Sequence, residues 1–99
     1  MDTIFALATV RGRSGVAVIR VSGDKAFVAA EALMHRLPPV GKPGLRRLLD
    51  ENGEVIDEAL VHRFAGPRSF TGEDVVELHL HGSPAVIAAI EKLLSRTGL

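Results

Sequence analysis

The chain has 99 residues, 46% of them hydrophobic, with twelve basic and twelve acidic side chains and no cysteine. This is enough apolar mass for one compact domain with a real core, which excludes a disordered chain. The zero net charge excludes a domain that holds nucleic acid by its overall field, and the missing thiols exclude disulfides and thiolate chemistry.

All four aromatic residues are Phe, so the core must rest on Val, Leu, Ile and Ala. The apolar opening from Ile4 to Val10 has no basic leader and is far too short to span a bilayer. The expected setting is cytoplasmic, with no membrane association.

The run Thr3-Ile4-Phe5-Ala6-Leu7-Ala8-Thr9 suits a short buried strand. Val10-Arg11-Gly12-Arg13-Ser14-Gly15 is a turn, and the β-branched Val16-Ala17-Val18-Ile19-Arg20-Val21 a second strand. Ser22-Gly23-Asp24 offers turn and N-cap chemistry for a helix over Lys25 to Leu37, where Phe27, Ala30, Met34 and Leu37 fall at helical spacing. Pro38-Pro39 ends it.

Val40 to Gly44 reads as a loop. Arg46 to Asp50 and Glu54 to Phe64 then read as hairpin strands around Glu51-Asn52-Gly53. A polar loop through Gly72 leads to a strand over Val75 to His81. Ser83-Pro84 is a helix start, with a hydroxyl N-cap and proline in the first turn. Val86, Ile87, Ile90, Leu93 and Leu94 form the apolar stripe of that helix, and Gly98 suits its C-terminal cap. The order strand, strand, helix, strand, strand, strand, helix predicts an α+β domain, a mixed or antiparallel sheet covered by two helices.

On the last strand, alternation places Val75, Glu77, His79 and His81 on one face and Val76, Leu78 and Leu80 on the other. Glu77, His79 and His81 together have the look of a carboxylate–imidazole metal site, though Glu-x-His-x-His is ordinarily plain solvent alternation. His35 and His62 stand isolated in sequence.

Arg20 is the second oddity, a cation in a run suited to burial. Either it lies on an edge strand with its guanidinium in water, or its fork is aimed at a carboxylate or a planar polar ligand. Glu77 is a candidate partner. The Val10–Gly15 turn lacks phosphate-loop spacing and opens no helix, so nucleotide binding is not expected there. Ser69, Thr71, Glu73 and Asp74 read as loop braces. No nucleophile–base pair is legible, so no self-contained catalytic site is expected.

Three ordered stretches carry a resemblance. They are Asp2-Thr3-Ile4 through Ala8-Thr9, then Gly12-Arg13-Ser14-Gly15-Val16-Ala17-Val18-Ile19-Arg20-Val21-Ser22-Gly23, and above all Ser69-Phe70-Thr71-Gly72-Glu73-Asp74-Val75-Val76-Glu77-Leu78-His79-Leu80-His81-Gly82. Together they resemble the N-terminal domain of the tRNA modification GTPase MnmE (TrmE) family over nearly the whole length, from Asp2 to the last helix, and residues 1–99 read as one such domain. The resemblance implies a folate-binding and homodimerisation module, similar in fold to the folate-binding aminomethyltransferases.

It further implies a whole enzyme that modifies the wobble uridine of certain tRNAs with the flavoprotein MnmG. The implied cofactor of this domain is 5-formyl- or 5,10-methylene-tetrahydrofolate. GTP, Mg²⁺ and K⁺ belong to a G domain that these residues do not contain, so no GTPase activity is expected of them alone. The family's arginine at the end of the second strand falls on Arg20 and its glutamate on Glu77, and both are implied folate contacts.

Two departures stand out. Gly82-Ser83 replaces the family's Gly-Gly. The chain also ends at Leu99, ahead of an arginine-proline-glycine-glutamate-phenylalanine stretch and an asparagine-glycine-lysine segment whose lysine is also implied in folate binding. A domain truncated at its C-terminal end is the expectation. The alternatives are a self-association module without ligand binding, and a metal centre on Glu77, His79 and His81.

Overall fold

The computed structural model describes residues 3–7, 16–67, 72–81 and 83–97. Its elements are β1 (Ile4–Leu7), β2 (Val16–Ser22), α1 (Ala26–Glu31), β3 (Gly44–Leu49), β4 (Val55–Phe64), β5 (Val75–His81) and α2 (Pro84–Ser95). The strands form one sheet in the order β1-β2-β5-β4-β3, antiparallel at every pairing. The expected α+β class is met. The last strand in the chain occupies the middle of the sheet, between β2 and β4.

Alternation sorts the side chains. Ala17, Ile19 and Val21 of β2, Val76, Leu78 and Leu80 of β5, Ala59 and Val61 of β4, and Leu48 of β3 all enter one buried cluster. Helix α2 adds Ile87, Ile90 and Leu94 to it, which is the stripe its sequence spacing predicts. Helix α1 adds Ala26 and Ala30, and the segment after it adds Leu33, Met34 and Leu37. Both helices therefore lie on one face, and the opposite face carries no helix among the described residues.

Three expectations need correcting. The helix over Lys25 to Leu37 is only Ala26–Glu31. Beyond it the Leu33 and Met34 N–H groups bond to Ala30 and Glu31, three residues back, and the Leu33 carbonyl accepts the Leu49 N–H at 2.8 Å instead of continuing the helix. Tertiary bonding to the end of β3 thus overrides helical periodicity. The first strand is not buried: β1 is an edge strand, with Ile4 63% exposed. Ser83 is the N-cap residue of α2, but its hydroxyl makes no capping bond. The end of the expected first strand at Ala8 and Thr9, the turn from Val10 to Gly15, Ser69, Thr71, Gly82 and Gly98 lie outside the described residues.

The β3–β4 hairpin closes as its sequence predicts, through Gly53 at φ 80° and Asp50, whose Oδ1 accepts the N–H groups of Asn52 and Glu54. Gly23, at φ 138°, is more tightly constrained. Its N–H donates to the Asp74 carbonyl at 3.0 Å, and a Cβ there would lie 2.5 Å from the Thr3 Cα. The Thr3 hydroxyl in turn accepts the Lys25 N–H at 2.9 Å, so Gly23 is the point where β1, β2 and the start of β5 are drawn together.

Both glycines have positive φ, but a Cβ at Gly53 would meet nothing within 4 Å. Gly53→Ala is expected to cost about 1 kcal/mol from backbone strain alone, and Gly23→Ala clearly more, because the clash adds to the strain. Urea unfolding of the two variants checks this ranking.

Candidate functional site

The central position of β5 decides what surrounds Glu77. Its Cα partners are Arg20 on β2 and His62 on β4. Opposed residues in an antiparallel pair point to the same side, so these three side chains share the face that the helices leave uncovered. Glu77 is 8% exposed. A carboxylate held so far from water must be compensated by charge and hydrogen bonds.

Arg20 supplies this. Its Nε donates to Glu77 Oε2 at 3.0 Å and its Nη2 donates to the same oxygen at 2.6 Å. The other oxygen, Oε1, lies 3.3 Å from His79 Nε2. Strand β2 is interior to the sheet, so Arg20 does not rest on an edge. The carboxylate-directed fork is the reading realised, with the Arg20 side chain still 36% exposed.

Burial by itself would raise the Glu77 carboxyl pKa. The hydrogen bonds from Arg20 and His79, and the charges of both, outweigh it and hold the group below its ordinary value of 4.5.

His62, isolated in the sequence, is brought opposite Glu77 by the β4–β5 register, and its ring packs on Phe64 with centroids 4.1 Å apart. No local signal marks it, because the register of a long-range strand pair is not written in either strand alone. Phe64 also borders a recess of about 380 Å³ formed with Val40, Gly41, Ala65, Gly66 and Pro67. Two further recesses, of about 260 and 350 Å³, lie between the hairpin turn and α2, where Glu51 pairs with Arg96, and do not include Arg20 or Glu77. Asp74 is a brace as expected, accepting the Gly66 N–H through Oδ1 at 3.0 Å.

The metal alternative is corrected by the geometry. His81 turns away from Glu77 to Asp57, a residue that the sequence reading did not single out. Its Nδ1 is 2.6 Å from Asp57 Oδ1, and its backbone N–H donates to Oδ2 at 2.9 Å. Glu77, His79 and His81 therefore do not converge, and no set of three potential ligands is assembled among the described residues. No helix among them is long and apolar enough to cross a membrane.

The depressed Glu77 pKa has a definite sign in stability. A carboxyl lowered on folding contributes fully above its unfolded value, and the contribution is lost as pH falls below 4.5 toward the folded value. Between about pH 6 and about pH 3, the urea midpoint of the native protein is expected to fall further than that of Glu77→Gln, which has no proton to take up at this position. Equal slopes for the two proteins would contradict the assigned pairing.

The model of the family described as GTP-binding protein TrmE N-terminus matches residues 3–99. A tRNA modification GTPase MnmE of Dinoroseobacter shibae is 58% identical over 95 residues, which is 96% of this chain and 22% of that protein. Proteins of the same name from Jannaschia sp. and Halorhodospira halophila are both 52% identical, over 100% and 98% of this chain and 23% and 21% of their own lengths. The chain thus spans about a fifth of the length of these curated relatives. With a match covering almost every residue and identities above half, the chain belongs to the family of the TrmE N-terminus.

Proposed function

We propose that the uncovered sheet face is a reduced-folate site, and that the same face joins two copies of the domain within a tRNA-modifying GTPase. The observation that carries the reading is the Arg20–Glu77 pair. It is a nearly buried carboxylate and a partly exposed arginine, opposed on central strands and facing away from the core. A pterin presents ring N–H and amino donors beside a carbonyl acceptor. Glu77 accepts from the donors, and Arg20 donates to carbonyl or carboxylate oxygens.

Arg20 and Glu77 are the positions where the family resemblance puts the folate contacts. The cofactor is 5-formyl- or 5,10-methylene-tetrahydrofolate, in the role of one-carbon donor. GTP hydrolysis, with its Mg²⁺ and K⁺, tRNA recognition and the flavoprotein partner MnmG belong to the larger enzyme, which acts on the wobble uridine in the cytoplasm. This domain contributes binding and assembly. Its zero net charge agrees with a domain that does not grip tRNA by its own field.

Self-association is favoured by a separate observation. Ile4, Val16, Leu45 and Leu60 are all substantially exposed, and the strand registers put them on the same uncovered face as Arg20 and Glu77. Large apolar side chains gathered on one open sheet face mark a contact surface.

Isothermal titration of 5-formyltetrahydrofolate into the full-length protein tests the ligand. Binding is expected in the native protein and is expected to be lost when Arg20→Ala and Glu77→Ala are combined. Unchanged binding in that double variant would remove the site assignment. For assembly, Leu60→Glu is expected to shift the protein toward monomer in sedimentation equilibrium, because it buries a charge in an apolar contact. An unaltered dimer would place the contact elsewhere.

A further inference from the structure

Among the polar groups on the uncovered face that the folate reading does not use, the imidazole of His79 is the one bonded to Glu77. It sits two residues from Glu77 on β5, on the same face, with Val18 of β2 and Leu60 of β4 as its Cα partners. Both neighbours are apolar, and Glu77 is the hydrogen-bond partner of its ring among the described residues. The side chain is only about one-third exposed. A histidine in an apolar row, directed along its own strand at a carboxylate, is therefore held for that carboxylate.

We propose that His79 is a positioning residue that fixes the plane of the Glu77 carboxylate for a ligand N–H, an inference that rests on the reduced-folate reading of this face. Arg20 directs its Nε–H and an Nη2–H to the same oxygen, Oε2. Two bonds to one oxygen hold that atom but leave Oε1 without a bond from Arg20, so the group can still pivot about Oε2 as the side-chain torsions adjust together. The bond from His79 Nε2 to Oε1 supplies the second point of attachment.

A carboxylate has about four acceptor sites. Arg20 fills two on Oε2 and His79 one on Oε1, so among the described residues the remaining site is on Oε1. The oxygen that meets the ligand is thus the one whose direction His79 sets. This makes the imidazole a determinant of specificity for an N–H donor edge without touching the ligand itself. Because a carboxylate only accepts, Nε2–H is the donor in this bond.

The test combines two readouts in the full-length protein. The first is titration of 5-formyltetrahydrofolate into the native protein, His79→Leu, His79→Gln, Glu77→Gln and the double variant His79→Leu/Glu77→Gln. The second is the titration midpoint of Glu77, followed by its side-chain carboxyl ¹³C shift.

Loss of one hydrogen bond to a charged group predicts roughly tenfold weaker binding in His79→Leu. His79→Gln, whose amide N–H can replace Nε2–H, is expected to recover most of it. In the Glu77→Gln background His79→Leu is expected to add little, because the two act as one unit. The Glu77 midpoint is expected to rise in His79→Leu, since the imidazole is among the groups that hold it down.

A Glu77 midpoint that does not move, or a His79→Leu effect that adds in full to that of Glu77→Gln, would overturn the positioning role even where folate binds. Absence of folate binding by the native protein would overturn the reduced-folate reading itself, and this role with it.

Discussion

Strand β5 is drawn into the middle of the sheet, and the character of the rest follows. With β2 on one side and β4 on the other, its apolar row, Val76, Leu78 and Leu80, becomes the centre of the core, and its polar row becomes the centre of the opposite face. A glutamate in such a place cannot keep its water. Its charge has to be met by neighbours across the ladder, and Arg20 meets it at 2.6 Å. An arginine in an apolar strand and a glutamate in another are two halves of one solution.

The two faces divide the work. The helix side is packed with aliphatic residues from both helices and the inner positions of the strands around β5, and it holds the sheet as a rigid plate. The bare side offers a paired carboxylate and guanidinium, imidazoles at 79 and 62, the ring of Phe64, and exposed aliphatic residues toward the edges. A polar constellation on a rigid sheet is held more tightly than one on loops. The close approach at Gly23, tied to Asp74 and Thr3, fixes the ends of the same strands that carry Arg20 and Glu77. Folding and site geometry thus share one anchor.

A face that is polar at its centre and apolar around it suits two uses at once. A small ligand with a donor and acceptor edge can be met by the centre, and a second copy of the domain by the surround. On this reading, binding and assembly are coupled by position, because whatever joins two such faces also removes water from Arg20 and Glu77.

Local chemistry determined a good part of this protein from the sequence alone. β-Branched residues marked β2, period-two alternation marked β5, the turn residues Glu51, Asn52 and Gly53 marked the hairpin, and 3.6-residue spacing marked α2, because each of these is set by neighbours within a few residues. The two odd residues, Arg20 and Glu77, were also visible as charges in apolar surroundings, and the ordered motifs around them were enough to indicate the family.

What only the tertiary structure decided depends on partners distant in the chain. The pairing of β2 with β5 sets Arg20 opposite Glu77, 57 residues away, and the pairing of β4 with β5 brings in His62. The bond from Leu49 to Leu33 stops α1 early, Asp57 draws off His81, and β1 becomes an exposed edge although its composition suits burial. Strand order and register are properties of pairs of segments, so neither segment carries them alone.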